Sequence, residues 1–307
     1  MPRLSAREIL ASVPQLEEIA HVEPVEFRQI PSADLNFPDL LALAAAIEEA
    51  FSNGSIGVVV TQGTDTIEES AFALDLLVKT NRPIVVTGAM RNPTQASPDG
   101  PGNLLAAVRV ATSEKAAGLG VLVVMNDEIH TARFVRKTHT SRGGAFRSPT
   151  VGPIGWISEA EVRIPYRLMP TPTIPCEISH LVPKVAIVTI ALGDDSYLLS
   201  KIESLGYSGV VIEGFGGGHV PAKFVPAIEN LVSQIPVVLA SRTGSGEVLR
   251  STYGFAGSER DLLSRGVISA GPLDGRKARI LLSLVLAVSK DLDESKARFE
   301  SLMTSLL

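Results

Sequence analysis

The run Thr61-Gln62-Gly63-Thr64-Asp65-Thr66 crowds hydroxyls, an amide and a carboxylate into a few residues. A threonine hydroxyl becomes a nucleophile for acyl transfer when a base takes its proton. Lys137, in the basic segment from Arg133 to Arg147, can be that base if the fold brings it, partly desolvated, beside Thr64 and Asp65. A blander reading competes with this one. Asp65 or Thr66 can serve as a helix N-cap, with Glu68 or Glu69 completing a capping box. Lys137 can equally be a solvated surface residue. Three further groups sit in equivalent contexts: Ser32 with Asp34, Thr87 to Arg91, and Asn126 to Glu128. Gathered on one edge, these would line a cleft with hydroxyls and carboxylates, and helix N-termini would add partial positive charge. Such a cleft suits a small polar ligand, zwitterionic or carboxylated.

The elements that must position these groups follow from periodicity. Gly57 to Val60 is a short β-branched run, expected as a strand buried on both faces of a parallel sheet. Ile67, Ala71, Leu74 and Val78 then form one helical stripe. Ile84 to Val86 and Gly120 to Met125 read as further buried strands, with a helix from Asn103 between them. Upstream, Ser5 precedes a helical run, Val25 to Ile30 alternates like a short strand, and Asn36 or Pro38 opens a helix. The alternation implies a parallel, doubly wound sheet with right-handed crossovers. Residues 130 to 182 break the rhythm, and Leu168 to Pro175 reads as an extended linker. The expected organisation is α/β: a larger N-terminal domain over 1–167, a linker over 168–183, and a smaller C-terminal α/β domain over 184–307. In the latter, strands at 185–190, 209–212, 237–240 and 267–269 alternate with helices near 196–205 and 222–232. A long apolar helix over 276–290 and a helix-prone tail follow.

Composition narrows the function classes. The chain has 307 residues, 45% hydrophobic and 20% charged, enough for one large or two medium domains. A net charge of −5 leaves no footprint for nucleic acid or an anionic membrane. The single cysteine, Cys176, rules out an internal disulfide, and the five histidines show no HxxxH pairing. No apolar run has the roughly 18–20 residues of a membrane span, and MPRLSAREIL lacks a signal peptide's apolar core. The reading is a cytoplasmic protein that uses no cofactor and no metal. Other motifs are weaker. Gly214 to His219 resembles a phosphate-cradling turn without the spacing of a P-loop or dinucleotide fingerprint. Gly244-Ser245-Gly246 is not a GxSxG elbow, and Asp194-Asp195 reads as a cap at Ser196.

Taken together, several segments resemble the bacterial-type L-asparaginase family along nearly the whole chain. TQGTDTIEESAFALDLLV resembles its (H/Q)GTDT signature, IVVTGAMRNPTQASPDGPGNLLAAVRVA its GAMR–DGPxNL region, RFVRKTHT the segment of its buried lysine, and PSADL its substrate-binding serine loop. YGFAGS and LDGRKARILLSLVLA resemble its C-terminal domain. The resemblance implies hydrolysis of a side-chain amide, asparagine or glutamine, to carboxylate and ammonia through a covalent acyl-enzyme. It implies that Thr64 and Lys137 form the hydroxyl–lysine pair, Asp65 binds the substrate α-ammonium and Ser32 its α-carboxylate. Backbone amides around Ala89 and the Thr64 region would polarise the amide oxygen, and Ala89 and Met90 would bind substrate. Glu247 would complete a neighbouring subunit's site within a dimer or a tetramer of dimers.

Two departures set further expectations. The family's TGGT turn, which carries its primary nucleophilic threonine, and the tyrosine-bearing loop after it have no counterpart here. The expectation is therefore a surviving half-site beside an open sheet edge with exposed apolar surface and low stability. Ala33 also stands where many members carry a substrate-touching Gln, and Gly217 and His219 replace an asparagine-rich turn, which bears on substrate preference. Three readings stay open: an asparaginase whose sequence starts late, a homologue that only binds acidic amino acids or their amides, and an enzyme using Thr64 alone. A related amidotransferase subunit acting on charged tRNA ranks below these.

Overall fold

Short β-branched runs set the frame of the first unit, as their sequence suggested. In the computed structural model, which describes residues 5–169, 171–176 and 181–306, the chain divides into two units, Met1–Thr173 and Ile174–Leu307. The expected linker over 168–183 falls partly on 170 and 177–180, outside the described residues.

The first unit opens with α1 (Ala6–Ala11), closed by a full capping box between Ser5 and Glu8, and continues to α2 (Phe37–Ser52), capped by Asn36. Then come β1 (Val58–Thr61), α3 (Ile67–Leu77), β2 (Ile84–Thr87), α4 (Gly100–Ala111) and β3 (Val121–Met125). β1, β2 and β3 pair in parallel, Val59 opposite Val85 and Val85 opposite Leu122. α4 packs on the face formed by Val59, Val85, Leu122 and Val124. α3 packs on β2 and β3 with α2 outside it. The segment that broke the rhythm forms β4 (Glu128–Thr131), β5 (Arg136–Lys137), β6 (Phe146–Arg147), β7 (Gly155–Ser158) and β8 (Glu161–Arg163). β4, β7 and β8 extend the sheet antiparallel, in the order β1-β2-β3-β4-β7-β8, while β5 and β6 make a separate two-stranded ladder.

Three expectations need correction here. β1 is not buried on both faces: it is the sheet's edge, and Val58, Val59 and Val60 are only half-buried where β2 and β3 are wholly buried. Val25 to Ile30 is extended but joins no ladder among the described residues. An alternating run gains little without cross-strand neighbours; Val25 is 72% exposed, and Arg28 turns to Asp39. α4 starts at Gly100 rather than Asn103, because Pro101 fits the first turn of a helix.

The second unit is a parallel four-stranded sheet of β9 (Val185–Thr189), β10 (Gly209–Gly214), β11 (Val237–Ser241) and β12 (Ile268–Ser269), in the order β12-β11-β10-β9. α5 (Val225–Val232), α6 (Glu259–Ser264), α7 (Gly275–Val288) and α8 (Leu292–Ser305) accompany it. α7 covers β9, β10 and β11, and α8 packs on α7. The helix expected near 196–205 is a single 3₁₀ turn, Leu199–Lys201. Leu199 and Ile202, three apart, reach the core, while Tyr197, Leu198 and Leu205 stand exposed, so no apolar stripe exists to hold an α-helix.

Candidate active site

The strand end that supplies Thr64 turns through a 3₁₀ segment, Thr64–Thr66, before α3 begins. The expected capping box is absent: Thr66, at the N-cap of α3, makes no side-chain cap bond. Its Oγ1 donates to the Ser32 carbonyl at 2.9 Å instead. Asp65 is 68% exposed at its side chain and faces Lys137, whose Nζ donates to Asp65 Oδ1 at 3.2 Å. The same Nζ donates to Thr64 Oγ1 at 2.8 Å. Lys137 is therefore no solvated surface lysine; its side chain is 16% exposed. Two residues far apart in sequence, a hydroxyl and an amine, meet at hydrogen-bond distance beside a carboxylate.

The lysine is delivered by its own backbone. Lys137 pairs with Phe146 across β5 and β6, and the next residue, Thr138, sends its amide (2.8 Å) and its hydroxyl (2.9 Å) to the Ala145 carbonyl. Glu68 Oε2 accepts the Lys137 amide at 2.7 Å. Glu68 is 2% exposed, so α3 holds β5 through a buried carboxylate rather than capping itself. That role was invisible in sequence, where Glu68 looked like half of a capping box.

Ser32 joins this turn. It is 4% exposed, and its Oγ accepts the Asp65 amide at 3.3 Å. Gly63 makes the approach possible, since a Cβ there would stand 2.6 Å from Ser32 Oγ. Ala33, in the same Ser32–Asp34 turn, is exposed. The turn after β2 closes the other side: a Cβ on Gly88 would lie 2.5 Å from the Gln62 carbonyl oxygen and 3.4 Å from Thr64 Cγ2. Ala89 and Met90 follow it, half-buried. Asp99 accepts the Met90 amide at 3.1 Å and the Arg91 amide at 2.8 Å. Thr87 itself is not offered to a ligand, because its hydroxyl is buried on the Val124 carbonyl. The Ser32 turn and the ends of β1 and β2 thus meet around Thr64.

The end of β3 differs. Asn126 and Asp127 form a tight turn with positive φ (53° and 60°), as hairpins favour for such residues. Glu128 accepts both bonds from Arg147 Nη1, at 2.9 and 3.0 Å, so its charge is already balanced. Behind it, His130 is wholly buried, with Nδ1 3.0 Å from Ser148 Oγ and Nε2 3.4 Å from Glu128. Burial, and secondarily the Arg147 charge, push its pKa down to about 4.

The remaining candidates lie in the second unit. Glu247 belongs to the second unit and is exposed in the loop after β11. The turn from Gly214 to His219 does not cradle an anion: Phe215 and His219 exchange backbone bonds at 2.8 and 2.9 Å, and Gly218 N also goes to Phe215. Asp194 and Asp195 accept the amides of Ala191 and Tyr197, which closes local turns. Among the described residues no cluster of three His, Cys, Asp or Glu is placed to hold a metal, and no helix is long and apolar enough to cross a membrane.

Comparison with known proteins shows the family. Residues 1–170 match the family described as asparaginase, N-terminal, and residues 184–299 the glutaminase/asparaginase C-terminal domain. The chain is 37% identical over 296 residues to a probable periplasmic L-asparaginase of Haemophilus influenzae, covering 94% of this chain and 82% of that protein. It is 35% identical over 295 residues to L-asparaginase 2 of Escherichia coli, covering 94% and 82%. The crystal structure of a probable cytoplasmic L-asparaginase from Campylobacter jejuni superposes with a TM-score of 0.89 at 32% identity, over 98% of this chain and 94% of that one.

Proposed function

The chain belongs to the asparaginase family of amidohydrolases, and from that premise we propose that it hydrolyses L-asparagine to L-aspartate and ammonia with Thr64 as the nucleophile. The observation that carries the reading is the 2.8 Å bond between Lys137 Nζ and Thr64 Oγ1 beside Asp65. In its neutral form the Lys137 amine takes the Thr64 hydroxyl proton as Oγ1 attacks the side-chain amide carbon. The tetrahedral oxyanion collapses, the proton passes to the leaving nitrogen, and ammonia departs from a Thr64 ester. Water, deprotonated by the same amine, then attacks the ester carbonyl; Thr64 Oγ1 leaves and takes the proton back from Lys137 Nζ, and aspartate is freed. Asp65, whose side chain is exposed beside Lys137, binds the substrate α-ammonium, and Ser32 turns to the α-carboxylate. The Ala89 backbone amide meets the amide oxygen, where a preorganised donor contributes about 3 kcal/mol, while the Met90 amide is held by Asp99.

Ammonia release from asparagine and glutamine tests the reading. Thr64→Ala and Lys137→Met are expected to lose at least about 100-fold in kcat; unchanged turnover in Thr64→Ala overturns it. A second reading is binding of acidic amino acids or their amides without turnover, through the same Ser32, Thr64 and Asp65. It requires aspartate binding by calorimetry with no ammonia from the parent chain. Self-association as a dimer or tetramer, with Glu247 completing a neighbour's site, is part of the proposal. Mixing inactive Lys137→Met and Glu247→Ala chains then restores activity, whereas two unshared sites give none. A cytoplasmic location, supported by the lone cysteine, is checked by cell fractionation.

A further inference from the structure

Asn103 lies in the first turn of α4, 4% exposed, where an asparagine has no reason of helix propensity to be. Its amide group is engaged at both ends. Nδ2 donates to the Gly88 carbonyl at 2.9 Å and to Asp99 Oδ2 at 3.3 Å, while Oδ1 accepts the Asn126 amide at 3.0 Å. Asp99 passes the hold onward to the amides of Met90 and Arg91. One side chain therefore ties the turn after β2 to the turn after β3, and its partner Asp99 fixes the next two amides. On its other side Gly88 passes so close to Gln62 and Thr64 that a Cβ there would lie 2.5 Å from the Gln62 carbonyl oxygen and 3.4 Å from Thr64 Cγ2. A trans peptide sets C=O and N–H on opposite sides. Bonding the Gly88 carbonyl to Asn103 therefore fixes the Ala89 N–H to point away from α4.

We infer that Asn103, with Asp99, is a positioning residue that orients the Gly88–Ala89 peptide beside the Thr64–Lys137 pair. The inference rests on the amidohydrolase reading above. Asn103 touches no reacting atom; it acts by holding the backbone that meets the substrate amide. Leucine at this position would keep the helix and lose all three bonds.

The test compares the parent with Asn103→Ala, the near-isosteric Asn103→Asp, and Thr64→Ala. Circular dichroism and chromatography first identify the folded variants. Asn103→Ala is expected to lose about 100-fold in kcat with KM changed by less than about threefold, the pattern of a misplaced reacting group. Asn103→Asp keeps the shape, but its ionised carboxylate cannot donate to the Gly88 carbonyl and lies against Asp99, the charged group in contact with it. Its kcat relative to the parent is expected to rise as pH falls from about 8 to about 5, because protonation restores one donor. A merely structural role moves stability without this pH-dependent recovery. Folded variants with parental kcat, a loss confined to KM, or an Asn103→Asp profile parallel to the parent's each overturn the inference. Full activity in Thr64→Ala overturns the underlying reading instead. An inactive Thr64→Ala with a fully active Asn103→Ala sinks the positioning role alone.

Discussion

Acidification should weaken the first unit through His130. The ring is wholly buried, Glu128 beside it is neutralised by Arg147, and its pKa is held down to about 4 against 6.5 for the free side chain. An unfolded chain takes up the proton near pH 6.5 while the folded one refuses it until about 4. The stability that His130 permits is thus complete above pH 6.5 and lost as pH falls through that window. The gap is about 2.5 pH units, and each is worth about 1.4 kcal/mol, so about 3 kcal/mol disappears by pH 4. That is a large share of the roughly 5–15 kcal/mol that holds a domain folded. The chain's one tryptophan, Trp156, pairs with Glu128 across β4 and β7, so its fluorescence reports the relevant unit. Urea unfolding at a series of pH values, for the parent and His130→Gln, separates the titration from everything else that protonates. The difference between the two curves should slope by about 1.4 kcal/mol per pH unit between 4 and 6.5. Parallel curves, or a His130 ring whose NMR titration has its midpoint near 6.5, would refute the reasoning.

Two other outcomes follow from single contacts. Asp75, 5% exposed, accepts the Val121 amide at 2.7 Å and the Thr171 hydroxyl at 2.5 Å, so Asp75→Ala strands one buried and one half-buried donor and should cost about 1–3 kcal/mol by denaturant unfolding. Gly88→Ala drives a Cβ to 2.5 Å from the Gln62 carbonyl and must shift the turn beside Thr64; kcat should fall by at least about tenfold, with most of the secondary structure kept by circular dichroism.

How much of this was legible depended on whether the signal was local. The buried runs that became β2 and β3 and the stripe that became α3 carry their own periodicity, so their elements were readable from the sequence. VEFRQI carried an equally good pattern and formed no ladder, because pairing depends on a neighbour that no local pattern describes. Residues 196–205 had enough leucine for a helix, yet too little of it faces inward. Thr64, Asp65 and Lys137 were nameable as chemical types and through the family resemblance, and the fold joins them across 73 residues of sequence. Glu68 and Asn103 escaped because a buried residue that bonds backbone atoms looks, in one sequence, like any polar residue in the first turn of a helix.

That last ambiguity can be resolved by asking where each possible cap spends its oxygen. Among the described residues, Ser5, Asn36, Ser258, Asp274 and Asp291 stand at N-caps, and each accepts a backbone amide of its own helix. Thr66 and Asp99 stand at the N-caps of α3 and α4 and make no such bond. Thr66 reaches the Ser32 carbonyl, and Asp99 reaches back to Met90 and Arg91. An N-cap bond is worth about 1 kcal/mol, so each diversion forgoes a local gain that the same residue type collects elsewhere in the chain. Among the described α-helices that start on a residue able to cap, these two divert it, whereas α5 starts on Phe224, which has no cap to give; the local inconsistency therefore gathers at α3 and α4. Those two helices follow β1 and β2, whose ends frame Thr64, so the forgone caps mark the same ground as the hydroxyl–lysine pair by a separate line of reasoning.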